Sequence, residues 1–159
     1  MKIFLAAPFT DQIDIKLGHT NDKFTSTLMD IINYLRVNGH HVISAHEREE
    51  WGLDLDSPEE AINLDFQGVE NSDAIVAIIG SPPSPGVQME LGVALTKKIP
   101  IICLYKKGQF IPYLVKGMHT LTQTIYIEYT SLNRTKNKIL KSIISLQFSQ
   151  PHNHDYNYM

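Results

Sequence analysis

Glu90 is the residue of this chain whose type and position most clearly suggest chemistry. It follows an apolar run at residues 74–79 and a loop rich in Pro and Gly. Helical spacing places it inside an apolar stripe made by Val87, Leu91 and Ala94. An unpaired carboxylate facing a core is unfavourable unless it is paired, hydrogen-bonded or protonated. Glu90 is therefore either a functional group or a residue at the edge of the stripe that reaches water or a Lys.

Asp65 repeats this pattern on the preceding predicted helix. A capping box of Ser57, Pro58 and Glu60 predicts that this helix covers residues 58–71. Its inward stripe is predicted to contain three apolar residues, Ile62, Phe66 and Val69. Asp65 lies between them, and a helix rise of about 1.5 Å per residue puts Asp65 and Glu90 at similar depth below the sheet edge.

Two acids at matched depth predict a shared pocket. Paired carboxylates are what cleavage of a glycosidic bond requires, one as nucleophile or cation stabiliser and the other as proton donor or orienting group. The alternative is that a surface Lys or a backbone N–H satisfies each acid separately.

The segment before Glu90 has the features of a phosphate-binding loop. Ser84 suits a helix N-cap, Pro85 suits the first helical position, and Gly86 allows a ligand to approach the backbone. A strand that ends in such a loop presents backbone N–H groups at the carboxyl edge of a sheet. The same residues serve ordinary helix capping equally well.

The segment of residues 83–92, together with Asp65, resembles the nucleoside 2-deoxyribosyltransferase superfamily. Because it has a serine at position 84, the segment most resembles the branch that hydrolyses nucleoside 5′-monophosphates. That branch includes 2′-deoxynucleoside 5′-monophosphate N-hydrolases and CMP N-glycosidases. Transferases that act on unphosphorylated nucleosides usually carry an acid there. A serine admits a phosphate, whereas an aspartate would repel it. The resemblance covers residues 1–130.

The resemblance implies a role for each matching residue. Glu90 would attack the anomeric carbon, and Asp65 would assist the departing base or orient the sugar. The hydroxyl of Ser84 and the N–H groups of Gly86 and Val87 would hold the 5′-phosphate. In this family a neighbouring subunit completes the phosphate site, and Thr122 is the nearest counterpart in this chain, so a homo-oligomer, dimer or larger, is expected.

The sugar and base are expected to contact the loops that follow the first two strands. The resemblance points to Phe9 and Thr10 after the first strand, although this chain departs there from the hydrolases most like it. His46 and Trp51 follow the second strand, where an aromatic ring could stack on a heterocycle. The other reading is a solvated charged turn anchored by Trp51, and this reading is favoured for three acids, Glu47, Glu49 and Glu50.

Three other functions remain open. A nucleoside 2-deoxyribosyltransferase would use a second base in place of water, although Ser84 argues against it. A glycohydrolase of NAD, like TIR domains, would need further phosphate and adenine sites. A non-catalytic nucleotide sensor would bind without turnover. A dinucleotide-binding Rossmann enzyme is disfavoured because residues 6–10 lack the glycine pattern.

Short apolar strands alternate with amphipathic helices along the chain. Strands are predicted at residues 2–7, 41–45, 74–79, 100–105 and 125–127, and further helices at residues 24–38 and 131–147. The alternation predicts an α/β fold: a single doubly wound domain, Rossmann-like or flavodoxin-like, with a mostly parallel five-stranded sheet. The domain is expected to cover residues 1–148, and residues 149–159 form a polar tail, predicted to be disordered.

The composition narrows the class of partner. With 159 residues, 43% of them hydrophobic, the chain can bury one substantial core. A net charge of -3 offers no basic surface for a nucleic-acid polymer, so a small nucleotide is the expected partner. Cys103 is expected in the core, and no metal or cofactor is expected. The absence of a signal peptide and of a long apolar run leads us to expect no membrane partner and a cytoplasmic location.

Overall fold

The computed structural model describes residues 1–9, 13–14 and 19–149. Its strands are β1 (Lys2–Ala6), β2 (Ile13–Asp14), β3 (His19–Thr20), β4 (His41–Ser44), β5 (Ala74–Ile78), β6 (Ile101–Lys106) and β7 (Thr124–Tyr129). Its helices are α1 (Asp22–Val37), α2 (Ala45–Arg48), α3 (Pro58–Glu70), α4 (Pro85–Thr96), α5 (Tyr113–Lys116) and α6 (Lys136–Ser149). Short 3₁₀ turns cover Glu50–Gly52, Met118–Thr120 and Leu132–Arg134.

Five strands form one parallel sheet in the order β4-β1-β5-β6-β7. This confirms the predicted α/β fold with a parallel five-stranded sheet, and the observed strand order is the flavodoxin-like one. The strands at the centre are almost entirely apolar and buried, as expected where helices cover both faces of a parallel sheet. A separate two-stranded antiparallel ribbon, β2 with β3, was not predicted from the sequence.

The core has two layers, one on each face of the sheet. On one face α1 and α6 pack against alternate residues of β1, including Ile3 and Leu5. On the other face α3 and α4 pack against Phe4 and Ala6. Successive residues of β1 therefore contribute their side chains alternately to the two layers. Cys103 is buried in the second layer, as predicted.

Two helix predictions need correction. The inward stripe on α3 was wrong for Ile62, which is exposed, whereas Val69 is fully buried. The reason lies at Gly68, where an added Cβ would come within 2.7 Å of the Phe4 ring, so α3 approaches the sheet most closely near its C-terminal end. The last helix begins at Lys136 rather than 131, because Leu132–Arg134 form a 3₁₀ turn before it.

Candidate active site

A cavity of about 540 Å³ lies at the carboxyl edge of the sheet. The loops after β1, β4 and β5 line it together with α3 and α4. Strand β1 has β4 on one side and β5 on the other, so the chain leaves the centre of the sheet in opposite directions at this point. Such a switch in strand order is where open α/β sheets form their binding crevices.

The loops after β1 and β5 contact each other beside this cavity. Gly80 has a φ of +86°, and an added Cβ would lie 2.6 Å from Cγ of Pro8. The carbonyl oxygen of Gly80 also accepts a hydrogen bond from Nε2 of Gln109 at 2.6 Å. A side chain at position 80 would therefore push the two loops apart.

Glu90 projects from α4 into the cavity wall, and its residue surface is 8% exposed. This confirms the predicted inward position, with Val87, Leu91 and Ala94 buried on the same stripe. Burial raises the pKa of Glu90 well above its usual value, the neighbouring Asp65 raises it further, and Arg48 lowers it. Glu90 therefore retains its proton to a higher pH than a surface carboxyl group does.

Asp65 projects from α3 into the same cavity, as the matched depths predicted. Its Oδ1 accepts a hydrogen bond from Nη1 of Arg48 at 2.8 Å. Burial raises the pKa of Asp65, and the bond to Arg48 opposes that rise. Asp65 thus raises the pKa of Glu90, but the surroundings of the two acids differ because Asp65 is the one that bonds to a cation.

Arg48 holds two further carboxylates besides Asp65. Its Nε donates to Asp56 at 2.6 Å and its Nη2 donates to Glu49 at 3.0 Å. Both acids line the cavity. The expectation of a solvated turn was wrong for Glu49, which is 5% exposed, because this C-cap residue of α2 lies on the cavity wall and bonds to Arg48. Burial raises the pKa of Glu49, and Arg48 counteracts this.

The start of α4 also lines the cavity. Ser84 is the N-cap, Pro85 takes the first helical position, and Oγ of Ser84 accepts from the N–H of Val87 at 3.5 Å. Ser84, Pro85 and Val87 all lie on the cavity wall, together with Gly86. The capping role is therefore confirmed, whereas phosphate binding by these groups stays a prediction. The cavity is therefore lined both by carboxyl groups and by a helix N-terminus.

His46 and Phe9 form an aromatic part of the cavity wall. Their ring centroids lie 4.6 Å apart in an edge-to-face arrangement, and Nε2 of His46 donates to the carbonyl oxygen of Pro8 at 3.0 Å. Burial lowers the pKa of His46 to about 4, so the imidazole is neutral near pH 7. Its Nδ1 then carries a lone pair, and it is buried without a hydrogen-bond partner among the described residues.

Two of the predicted site residues, Trp51 and Thr122, do not line this cavity. Trp51 packs against the core beside His46, with ring centroids 5.9 Å apart, and does not line the cavity. Thr122 lies after the Met118–Thr120 turn, where its hydroxyl donates to the carbonyl oxygen of Ile99 at 3.3 Å. Thr10 lies outside the described residues, as do residues 150–159 of the tail.

Arg48, like its partner Asp56, was missed by the sequence reasoning. Its signal was the run His46-Glu47-Arg48-Glu49 directly after a predicted strand, where opposite charges alternate at the ligand-binding edge of the sheet. Within the described part of the chain, no group of three or more His, Cys, Asp or Glu side chains is arranged to hold a metal ion. Over those same residues, each helix is too short or too polar to cross a bilayer.

Comparison with solved structures identifies the class of protein that this fold resembles. The structure of Clostridium botulinum CMP N-glycosidase, BcmB, superimposes with a TM-score of 0.68 at 25% identity, covering 89% of this chain and 99% of that one. The solution structure of BlsM gives a TM-score of 0.80 at 28% identity and covers 96% of each chain.

A third structure widens the comparison. A 2-deoxyribosyltransferase from Bacillus psychrosaccharolyticus gives a TM-score of 0.61 at 21% identity, covering 86% of this chain and 91% of that one, and supports the fold alone. No protein-family model matches this chain, and no curated protein matches it. The structural neighbours match the nucleoside 2-deoxyribosyltransferase superfamily and its N-glycosidase branch, which confirms the resemblance drawn from residues 83–92.

Proposed function

We propose that this chain hydrolyses the N-glycosidic bond of a nucleoside 5′-monophosphate, releasing free base and ribose or deoxyribose 5-phosphate. The observation that carries the proposal is the placement of Glu90 and Asp65 in one cavity that is also lined by a helix start capped by a serine. Chemistry on nucleoside glycosyl bonds is supported by the neighbours, a CMP N-glycosidase among them.

Glu90 acts as the nucleophile in this proposal. Its ionised carboxylate attacks the anomeric carbon, the C–N bond breaks, and the base leaves with the electron pair and takes up a proton. Water then attacks the glycosyl-enzyme, which releases sugar phosphate and restores the carboxylate. Asp65 stabilises positive charge on the sugar or orients it.

The start of α4 binds the phosphate in this proposal. The N–H groups of Gly86 and Val87 and the hydroxyl of Ser84 lie at the positive end of the helix dipole. Binding energy from the phosphate, far from the reacting carbon, then orients the sugar against Glu90. We further propose that Phe9, His46 and Thr10 contact sugar or base, and that the working form is a homo-oligomer in which Thr122 of a second copy completes the phosphate site.

The first experiment is a product analysis by mass spectrometry. The protein and its Glu90→Gln variant are incubated with ribo- and deoxyribonucleoside 5′-monophosphates and matching nucleosides, with and without a free acceptor base. Free base and sugar phosphate from a monophosphate, lost in the variant, are expected. Base exchange that requires an acceptor would instead assign a transferase, and binding without turnover would assign a sensor.

A pair of substitutions at position 84 tests the phosphate end. Asp and Asn cap helices about as well as Ser does, so both variants are expected to fold. Ser84→Asp should raise KM for a monophosphate at least about tenfold by charge repulsion, which corresponds to about 1.4 kcal/mol. Ser84→Asn lacks the charge and should have a smaller effect. Equal losses in both variants, on monophosphate and nucleoside alike, would count against phosphate binding here.

A further inference from the structure

We propose that Arg48 is a positioning residue of this site, which holds Asp65 at the cavity and supplies the positive charge that lets Glu90 ionise. This inference rests on the proposed function. Arg48 itself does not line the cavity, but the three carboxylates that it binds do. It therefore acts through the groups that it binds.

The geometry favours arginine at this position. Three different nitrogens of one guanidinium bind three carboxylates from different parts of the chain: Glu49 beside it, Asp56 in the following loop, and Asp65 on α3. A planar fork with five donors can satisfy this arrangement, whereas a lysine ammonium acts as a single point charge. Arg48 thus fixes α3 relative to α2 at the level of Asp65.

The charges around the cavity show why a cation is needed. Four carboxyl groups line one cavity, those of Glu49, Asp56, Asp65 and Glu90. In the described part of the chain, Arg48 is the cation that bonds to the first three of them. His46, the remaining titratable group of that wall, is buried and neutral near pH 7. Without Arg48, a negative Asp65 would have no bonded counter-charge beside Glu90.

Two consequences follow for the reaction. Removal of the positive charge raises the pH at which Glu90 ionises, because Coulomb attraction to Arg48 favours the ionised form. Release of Asp65 also lets its side chain leave the position from which it meets the sugar. The first effect appears in the pH dependence, and the second in kcat rather than in the phosphate contribution to KM.

The test titrates Glu90 directly. Carboxyl carbon chemical shifts of the protein labelled with ¹³C-glutamate are followed by NMR from pH 4 to 9, in the Arg48→Met and Arg48→Lys variants. The Met variant should shift the midpoint of Glu90 upward by one pH unit or more, which is a tenfold change in ionisation constant. The Lys variant keeps the charge and should shift it by less.

Arg36→Met is the matched control. Arg36 forms an ion pair of the same kind with Glu47 at 2.7 Å and also donates to the carbonyl oxygen of Val42, on the outside of α2. Neither Arg36 nor Glu47 lines the cavity. Its substitution should leave the Glu90 midpoint unchanged, so a general effect of losing one positive charge is separated from the effect at the site.

The outcomes distinguish this inference from the proposed function. A Glu90 midpoint that is unchanged in Arg48→Met overturns the inference, whatever the activity. A shifted midpoint in a protein without N-glycosidase turnover supports the role of Arg48 in ionisation and rejects the proposed function. With turnover, the acidic limb of kcat/KM should move with the midpoint, and kcat should fall at least tenfold in Arg48→Lys. If the Met variant does not fold, Arg48→Gln is titrated by the same criteria.

Discussion

Glu90 is unfavourable for folding because its carboxyl group is buried beside Asp65. Its pKa in the folded protein lies above the unfolded value, so its contribution to stability is present at low pH and is lost as the pH rises through the folded-state pKa. Glutamine has nearly the shape of the protonated acid and stays neutral at every pH. The same burial that disfavours ionisation makes an ionised Glu90 a poorly solvated nucleophile.

We therefore predict that Glu90→Gln abolishes turnover and stabilises the protein at alkaline pH. At pH 8 the variant should melt higher than the parent chain, by about 3 to 6 °C for each unit of the pKa shift. At pH 4, where Glu90 is protonated in both the folded and unfolded states, the difference should be small. Calorimetry at the two pH values measures the effect.

Glu70→Gln provides the control for that measurement. Glu70 lies on the surface of α3, where it pairs with Lys97 at 3.1 Å. Loss of an exposed ion pair changes stability by about 1 kcal/mol at most. Its melting temperature should stay close to that of the parent chain at both pH values. A Glu90→Gln protein that melts no higher than the parent at pH 8 would show that Glu90 is not strained by burial.

The two acids could be predicted from the sequence because each interrupts an apolar stripe of helical period, and the period alone fixes the side of a helix. Arg48 could not be predicted in this way. It lies on a four-residue helix that is too short for a periodic pattern, and its partners lie 1, 8 and 17 residues away. Long-range pairing of this kind depends on how the elements pack.

At the scale of elements, Gly86 at the start of α4 is a glycine that the fold does not require but that ligand binding would. Gly86 does not need a positive φ, and an added Cβ would come no closer than 3.9 Å to Oγ of Ser84. Alanine therefore fits the fold at this position, and replacing glycine inside a helix stabilises it by about 0.5 to 1 kcal/mol. A methyl group there would, however, project towards a ligand held by the helix N-terminus.

Gly86→Ala should consequently keep or raise the melting temperature while it raises KM for a nucleoside monophosphate at least about tenfold, equivalent to 1.4 kcal/mol. Gly92→Ala is the matched variant, because Gly92 is an exposed residue of the same helix and an added Cβ would meet nothing within 4 Å. It should change stability alone. Steady-state kinetics with both variants decides the matter, and unchanged KM in Gly86→Ala would place the phosphate elsewhere.

The elements were predictable where capping and period agree. Ser57 and Glu60 form the predicted capping box, and α3 ends within one residue of the predicted end. The start of α1 was placed at residue 24, whereas Asn21 caps the helix by accepting from the N–H groups of Lys23 and Phe24. The turn before α6 was missed because its one apolar residue, Leu132, fits a helical period as well as it fits a 3₁₀ turn.

At the scale of the whole molecule, the cavity exists because the strand order brings distant segments together. Phe9, His46, Asp65 and Ser84 come from four separate elements and line one cavity. The alternation of strands and helices predicted a doubly wound sheet. In that topology the binding site is expected at the carboxyl edge of the strands. The depth of burial at Glu49 and the place of Trp51 behind His46 depend on tertiary packing, which the sequence pattern does not specify.

The proposed homo-oligomer leads to a prediction about dilution. Tyr113, Leu114 and Leu121 expose large apolar side chains on the segment that precedes Thr122. A second copy that covers this surface would bring Thr122 to its partner's phosphate, so activity should require assembly. Specific activity should fall on dilution over the range in which sedimentation shows dissociation.

Substitution at the same surface should have the same effect without dilution. Leu114→Asp places a charge on a side chain that is 85% exposed and should dissociate the assembly without unfolding the subunit, because surface substitutions usually change stability by about 0.5 kcal/mol or less. Thr122→Val should leave the assembly intact and raise KM for the monophosphate. Val37→Asp, an 84% exposed position on α1, is the control and should change neither property. Full specific activity in a dissociated Leu114→Asp protein would mean that each subunit holds a complete site, and Thr122 would then have no part in it.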